Sequence, residues 1–298
     1  MLVTDYNRVI MADFFYCFWL ILILLTGLCV GSFMNVVIYR LPRIIYGTDG
    51  DEPFSLAWPP SHCPGCQARI RFYDNIPVLS WVLLRGKCRH CHGAISPVYP
   101  LTEAVTGLWF LAVYFFQTDG EVVVMTSAVL MQIVPLFILF CFLWCITLTD
   151  LYYYLIPEML SAGLLWAGLL FSVFGMIPPS PVQAVLGGVL AFFVISAVRW
   201  FYTVVRKKEG LGWGDVSLFM ASSVWLGLAQ VPQLILFSAV CGGVFWGVYQ
   251  VYHRKILKNN HPEDAWLKKP DDGPDPSVYI PFGPAITLAT LLLFLTRL

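Results

Sequence analysis

The chain has 298 residues, and 18 Lys and Arg balance 18 Asp and Glu, so its formal net charge is zero. Hydrophobic residues make up 58%, charged residues only 12%, and the mean hydropathy is +0.73; a soluble domain carries roughly 25% charge. Intrinsic disorder, a collagen-like chain and a nucleic-acid binder driven by bulk positive charge are excluded, which leaves an all-α polytopic membrane protein.

In chain order, residues 1–10 fit no motif, and Met11 is an alternative start. The first charge-free run, 14–39, predicts a transmembrane helix, which needs about 20 mostly apolar residues. It is longer than the core of a signal peptide, and its basic residues follow it, so it reads as a retained anchor. The loop 40–98 holds two C-x-x-C pairs, Cys63-Pro64-Gly65-Cys66 and Cys88-Arg89-His90-Cys91, separated by 21 residues. Each tight turn points two thiolates at one cation. Four thiolates close a tetrahedral shell with no position left for water, the pattern of a structural zinc site. His62, His90 and His92 are weaker ligand candidates. The rival reading is a redox dithiol, which more often carries one C-x-x-C in a thioredoxin-like setting, and cytosolic disulfides are disfavoured. A loop of this size has little core of its own, so the metal is expected to staple it. Cys17, Cys29, Cys141, Cys145 and Cys241 lie in apolar runs and read as small hydrophobes in helix packing.

Further uncharged runs cover 104–118, 122–149, 159–198, 216–253 and 276–296. The first of these is predicted to begin near Tyr99 and to take Glu103 with it. Two runs are too long for one crossing. They are expected to break at Pro178-Pro179-Ser180-Pro181 and near Gln230-Val231-Pro232, where proline removes backbone donors. The sum is about eight transmembrane helices with a zinc-stapled loop. Orientation follows from the bases, because cytoplasmic loops are enriched in them. Arg40, Arg43, Arg69, Arg71, Arg85, Lys87 and Arg89 lie in the first loop. Arg206, Lys207 and Lys208 lie in the next, and Arg254, Lys255, Lys258, Lys268 and Lys269 in the last, whereas the turns near 119, 180 and 231 have none. Eight crossings put every basic loop on one face, read as cytoplasmic, with both termini outside.

Two aspartates then fall at the same membrane face. Asp150 closes the third span and precedes Leu155-Ile156-Pro157-Glu158; Asp215 ends Gly212-Trp213-Gly214-Asp215, a G-x-G-D, just before the sixth. An ionisable residue beside a span is a functional candidate by default. Two such carboxylates held close together cannot both ionise, so one keeps a proton while the other acts as base. The base takes a proton from water, the acid polarises a carbonyl, and a peptide bond is hydrolysed without a covalent intermediate. Gly212 and Gly214 would let a substrate strand come close to the backbone. The ordinary alternative is that each aspartate only caps a helix or marks the interface.

With these residues on view, the sequence resembles the bacterial type IV prepilin peptidases (leader peptidase/N-methyltransferases) of type IV pilus and type II secretion systems. The likeness runs through Gly31-Ser32-Phe33-Met34-Asn35, Val36-Val37-Ile38-Tyr39-Arg40-Leu41-Pro42, Leu56-Ala57-Trp58-Pro59, Ser61-His62-Cys63-Pro64 and Asn75-Ile76-Pro77. The second cysteine pair, Tyr99-Pro100, Glu103, both aspartate motifs and Ile280-Pro281-Phe282-Gly283-Pro284 continue it. The resemblance implies an inner-membrane aspartic endopeptidase with Asp150 and Asp215 as its pair. Such an enzyme cuts the basic leader of prepilins and pseudopilins after a glycine on the cytoplasmic side. It also implies zinc on Cys63, Cys66, Cys88 and Cys91, and methylation of the new N-terminal residue by S-adenosylmethionine. No residues are assigned to the methyl donor, since no G-x-G-x-x-G follows a strand; Glu103 and Asn75 are candidate polar contributors in the cytoplasmic region, with equally ordinary readings as an arginine partner and a turn residue before Pro77.

The sequence departs from that pattern in three places. Ser217 stands where the family often has a lysine, Val98 stands where an arginine usually precedes Tyr-Pro, and the loop 254–279 is long, with mixed charge and prolines. The expected division is 1–39 for the N-terminal segment and first helix, 40–98 for the cytoplasmic zinc-binding domain and 99–298 for the peptidase domain. Two competing classes carry distinct expectations. A thiol oxidoreductase needs a reversible dithiol and tolerates loss of Asp150. A proton-coupled transporter needs carboxylates near mid-membrane and an internal repeat.

Overall fold

The computed structural model describes residues 2–47, 54–118, 126–207, 210–256 and 281–297, and side chains for these except 2–16, 246 and 249–256. The side chains of Met11, Arg254 and Lys255 fall outside the described residues. So do Lys208, the turn at 119–125 and the basic, proline-rich stretch 257–280 with Lys258, Lys268 and Lys269.

Among the described residues the chain is helical, with no strand beyond isolated bridges. The α-helices are α1 (Leu2–Tyr46), α2 (Leu79–Leu83), α3 (Val98–Gln117), α4 (Ser127–Tyr153), α5 (Glu158–Val173), α6 (Pro181–Arg206), α7 (Trp213–Leu226), α8 (Val231–Ile256) and α9 (Gly283–Leu295). Five stretches are long and apolar enough to cross a membrane: Cys17–Tyr46, Val98–Gln117, Ser127–Tyr153, Pro181–Arg206 and Leu228–Phe245. α5 and α9 are apolar but shorter, at 16 and 13 residues, and α7 has 14.

The helix limits have local causes. α1 continues past Tyr39 and through Pro42 to Tyr46. Pro42 removes one backbone donor, while Ile38 and Leu41 in the preceding turn are buried. The break between α5 and α6 falls at the expected prolines. Gly175 turns with φ +67°, and Ser180 and Gln183 form a reciprocal capping box, with Pro181 opening α6. The break between α7 and α8 comes earlier than proline chemistry suggests. It lies at Gly227, φ +77°, while Pro232 sits in the first turn of α8, where its missing N–H has no partner to lose.

Two compact units emerge, residues 1–44 with 49–137 and residues 45–48 with 138–298. In the first, α1 and α3 meet backbone to backbone. A Cβ on Gly27 would lie 2.8 Å from Gly107 Cα, and one on Gly31 would lie 2.7 Å from Glu103 Cα. This is the close approach that small residues four apart permit between membrane helices. In the second unit α7 packs against α5, α6 and α9. Its residue Trp225 is fully buried, donates its indole N–H to the Leu164 carbonyl at 2.8 Å, and meets Phe171 and Phe294 edge-on. A helix enclosed by protein can be shorter than one that must face lipid along its length.

Candidate active site and metal centre

Asp150 lies in the last turn of α4 and is buried. Its Oδ2 accepts the N–H of Gly283, the first residue of α9, at 2.7 Å. A Cβ at Gly283 would come within 2.7 Å of that same oxygen, so only glycine allows the bond. One turn away the hydroxyls of Thr147 and Thr287 pair at 2.7 Å, fixing α4 to α9 a second time.

Asp215 is the third residue of α7 and half-buried, and its Oδ2 accepts the N–H of Gly212 at 3.0 Å. It therefore caps its own helix, at an end whose free N–H groups favour negative charge. Gly214 is pressed onto Ile156, with its Cβ position 2.9 Å from Ile156 Cβ and 3.3 Å from the Ile156 carbonyl oxygen. Ile156 belongs to the turn after Asp150, so this contact draws the end of α4 and the start of α7 together. Gly212, by contrast, is exposed. The Ser217 hydroxyl donates to the Gly214 carbonyl at 2.8 Å, within its own turn.

The G-x-G-D turn has a brace that the sequence did not announce. Arg199 of α6 donates from Nε to the Leu211 carbonyl at 3.0 Å, and its guanidinium lies 4.3 Å from the Trp213 ring centroid. Tyr202, one turn on, covers Gly210 so closely that a Cβ there would sit 2.2 Å from the ring. The available signal was a single cation straight after forty uncharged residues, 159–198.

In the first unit the four cysteines of the pairs converge. The sulfurs of Cys63, Cys66, Cys88 and Cys91 all lie within 4.8 Å of one another, with Cys63 and Cys91 3.8 Å apart. A zinc with Zn–S bonds of about 2.3 Å gives a tetrahedral edge of about 3.8 Å, so the sulfur positions suit such an ion. The two turns repeat each other at an offset of 25 residues. Cys63 N–H bonds Ala68 O at 2.9 Å as Cys88 N–H bonds Gly93 O at 2.8 Å, and Gln67 and His92 both take φ +57°. Isolated bridges, His62 with Arg69 and Lys87 with Ala94, close each turn. The thiols share their protons unequally: the backbone amides of Cys91 and then His90 bring Cys88 down to about 7, while, against the Ala68 amide, desolvation and hydrogen bonds from the neighbouring cysteines push Cys66 up to about 11. His62 is turned toward the Pro60 carbonyl, 3.1 Å from Nδ1, and among the described residues no histidine joins the sulfur cluster.

Glu103 does not pair with a loop arginine. Its Oε2 accepts the N–H of Val78, a residue at φ +59°, at 2.7 Å. Asn75 ends a 3-10 turn, Phe72–Asn75. Arg40 is buried and donates to the carbonyls of Ser55, Leu56 and Pro59, pinning the start of the loop to the end of α1. Asn35 donates to the Tyr99 carbonyl at 3.0 Å.

Residues 25–117 match the bacterial peptidase A24 N-terminal domain, and residues 137–247 match the type IV leader peptidase family. A prepilin leader peptidase/N-methyltransferase of Pectobacterium carotovorum subsp. carotovorum is 37% identical over 268 residues, covering 86% of this chain and 92% of that protein. One of Dickeya chrysanthemi is 34% identical over 263 residues, 84% and 89% of the two chains. A type 4 prepilin-like proteins leader peptide-processing enzyme of Escherichia coli is 36% identical over 228 residues, 74% and 81%. No solved structure matches the chain.

Proposed function

The chain belongs to the type IV leader peptidase family, and from that premise we propose that Asp150 and Asp215 hydrolyse the leader junction of prepilins or pseudopilins at the cytoplasmic face of the inner membrane. The observation that carries this reading is the pair itself. Two carboxylates, on helix ends drawn together by the Gly214–Ile156 contact, are each held by one glycine N–H through Oδ2, and no hydrogen bond to Oδ1 of either is seen among the described residues. One carboxylate takes a proton from water, which attacks the carbonyl carbon of the glycine that ends the leader. The protonated partner polarises the carbonyl oxygen, and the collapsing intermediate releases the amine with a proton returned from the dyad. Exposed Gly212 gives the substrate backbone room beside Asp215.

Residues 1–39 anchor the chain, 40–98 form the metal-binding loop and 99–298 the peptidase. All of α1 and α3 to α9 cross the membrane, giving eight spans, with both termini periplasmic and the basic loops cytoplasmic. Cys63, Cys66, Cys88 and Cys91 would hold zinc, which when bound supplies a structural cross-link and no chemistry. Methylation of the new N-terminus by S-adenosylmethionine follows from family membership. Among the described residues no glycine-rich turn after a strand offers itself to a nucleoside, and no donor residues are assigned. The substrate's apolar helix reaches the dyad by diffusion in the membrane lipid, its basic leader drawn to the anionic surface.

The test is cleavage of a co-expressed prepilin by wild type, Asp150→Asn and Asp215→Asn, read as product mass. Wild type is expected to shorten the substrate and to add the mass of one methyl substitution, and both variants are expected to leave it intact while inserting normally. Cleavage by both variants at the wild-type level would sink the dyad.

A further inference from the structure

The short helix α2 is inside out. Leu79, Val82 and Leu83 stand at i, i+3 and i+4 on one face and are 50%, 57% and 71% exposed, while Ser80 is buried at 6%. Ser80 is held there: its hydroxyl donates to the Tyr73 carbonyl at 2.9 Å and accepts the Ile76 N–H at 2.9 Å. These bonds join α2 to the 3-10 turn Phe72–Asn75, whose Phe72 is 87% exposed. The arrangement is rigid, because Trp81 donates its indole N–H to Ile95 at 3.0 Å and Asp74 is gripped by Arg89. Four large apolar side chains are thus fixed outward by polar contacts on the inner side. A water-facing loop gains nothing from that arrangement.

Charge decides what covers this face. Residues 54–97 carry Arg69, Arg71, Arg85, Lys87 and Arg89 against one carboxylate, Asp74, and all five cations are exposed. A zinc tetrathiolate, with two negative charges, would still leave the stretch net positive. A second copy of the same surface would be repelled, as would a basic peptide. An anionic lipid surface is attracted, and it also accepts apolar side chains at the headgroup boundary. The stretch is tethered at both ends, following the apolar run Cys17–Tyr46 and preceding Val98–Gln117. Contact with lipid is therefore an intramolecular event at high effective concentration.

We propose that the exposed side chains of Phe72, Leu79, Val82 and Leu83, with the exposed Arg71 and Arg85 next to them in the chain, dock the metal-binding loop onto the anionic leaflet of the membrane that the chain spans. This does not depend on the catalytic assignment. The test uses the purified full-length, metal-loaded protein in nanodiscs, either zwitterionic or containing phosphatidylglycerol. A photo-crosslinking p-benzoylphenylalanine is placed in turn at Phe72, Leu83 and, as a lipid-facing reference, Phe193 of α6, which is 65% exposed. Adducts of phospholipid mass are expected at all three positions. Those at 72 and 83 should be several-fold more abundant with phosphatidylglycerol and should fall when Arg71→Glu and Arg85→Glu are combined. Lipid adducts at 193 but none at 72 and 83 would overturn the proposal, as would cross-links from 72 and 83 to peptide instead of lipid. Equal yields in the two lipids would overturn the anionic assignment.

Discussion

Gly283 has no room for even a methyl group, because the carboxylate of Asp150 fills that space. Gly283→Ala must push Asp150 away or break its bond from the Gly283 N–H, and a displacement of about 1 Å at a reacting group costs on the order of 100-fold in rate. The expected outcome is prepilin cleavage reduced about 100-fold with membrane-inserted protein close to the wild-type amount, measured as single-turnover cleavage against quantified enzyme. Wild-type rates from Gly283→Ala would mean that the bond does not orient Asp150. The aspartates were legible in the sequence because carboxylates beside apolar runs are rare and costly. Gly283 was visible only as part of a likeness, since its reason for being glycine lies 133 positions away. The partner of Glu103 was hidden for the same cause: it is the backbone of Val78, and a main-chain donor leaves no mark in side-chain identity.

Elements explain why the two ends of the dyad stay in place. α7 begins where it does because Gly212 and Asp215 close its first turn, and α6 holds the preceding turn through Arg199 and Tyr202. Arg199 offers both a hydrogen bond to Leu211 and a flat face to Trp213; lysine keeps the charge but loses the planar fork. Arg199→Lys is therefore expected to lower kcat for prepilin cleavage by roughly tenfold, about 1.4 kcal/mol of transition-state stabilisation, and Arg199→Ala by more, with KM little changed. A larger effect on KM than on kcat would reassign Arg199 to substrate binding. The cysteine turns make a parallel case. Their C-x-x-C spacing was readable, but the matching left-handed residues Gln67 and His92 were not, because neither is glycine and the closing bonds to Ala68 and Gly93 set their conformation. Since both turns serve one sulfur cluster, Cys88→Ser is expected to lose the metal altogether. Elemental analysis should find about one zinc per wild-type chain, since four thiolates complete one shell, and close to none in the variant. Trypsin should then cut at Arg69 and Arg85, and methylation should suffer more than cleavage. A variant that keeps stoichiometric metal would rule out the four-sulfur site.

For the whole molecule, hydropathy alone located the apolar mass but not every crossing. Among the described residues five stretches pass as spans by length and apolarity, while α5, α7 and α9 are shorter. At 1.5 Å per residue the 14 residues of α7 reach about 21 Å, against a hydrocarbon core of about 30 Å. A helix wrapped by α5, α6 and α9 need not match the bilayer, because it meets protein along its sides instead of acyl chains. Its two ends also differ chemically. The end near Asp215 follows Arg206 and Lys207, and the end at Leu226 has its carbonyl bonded by Arg297 near the C-terminus. If α7 crosses, truncated fusions carrying a periplasm-active phosphatase should be active after Thr118, Pro178 and Leu228 and silent after Arg85 and Lys207. A cytoplasm-active fluorescent reporter should show the reverse. Silence of the phosphatase after Leu228 together with activity after Pro178 would mean that α7 dips and returns. The membrane would then be crossed fewer than eight times, and the C-terminus would be placed by α8 and α9 alone.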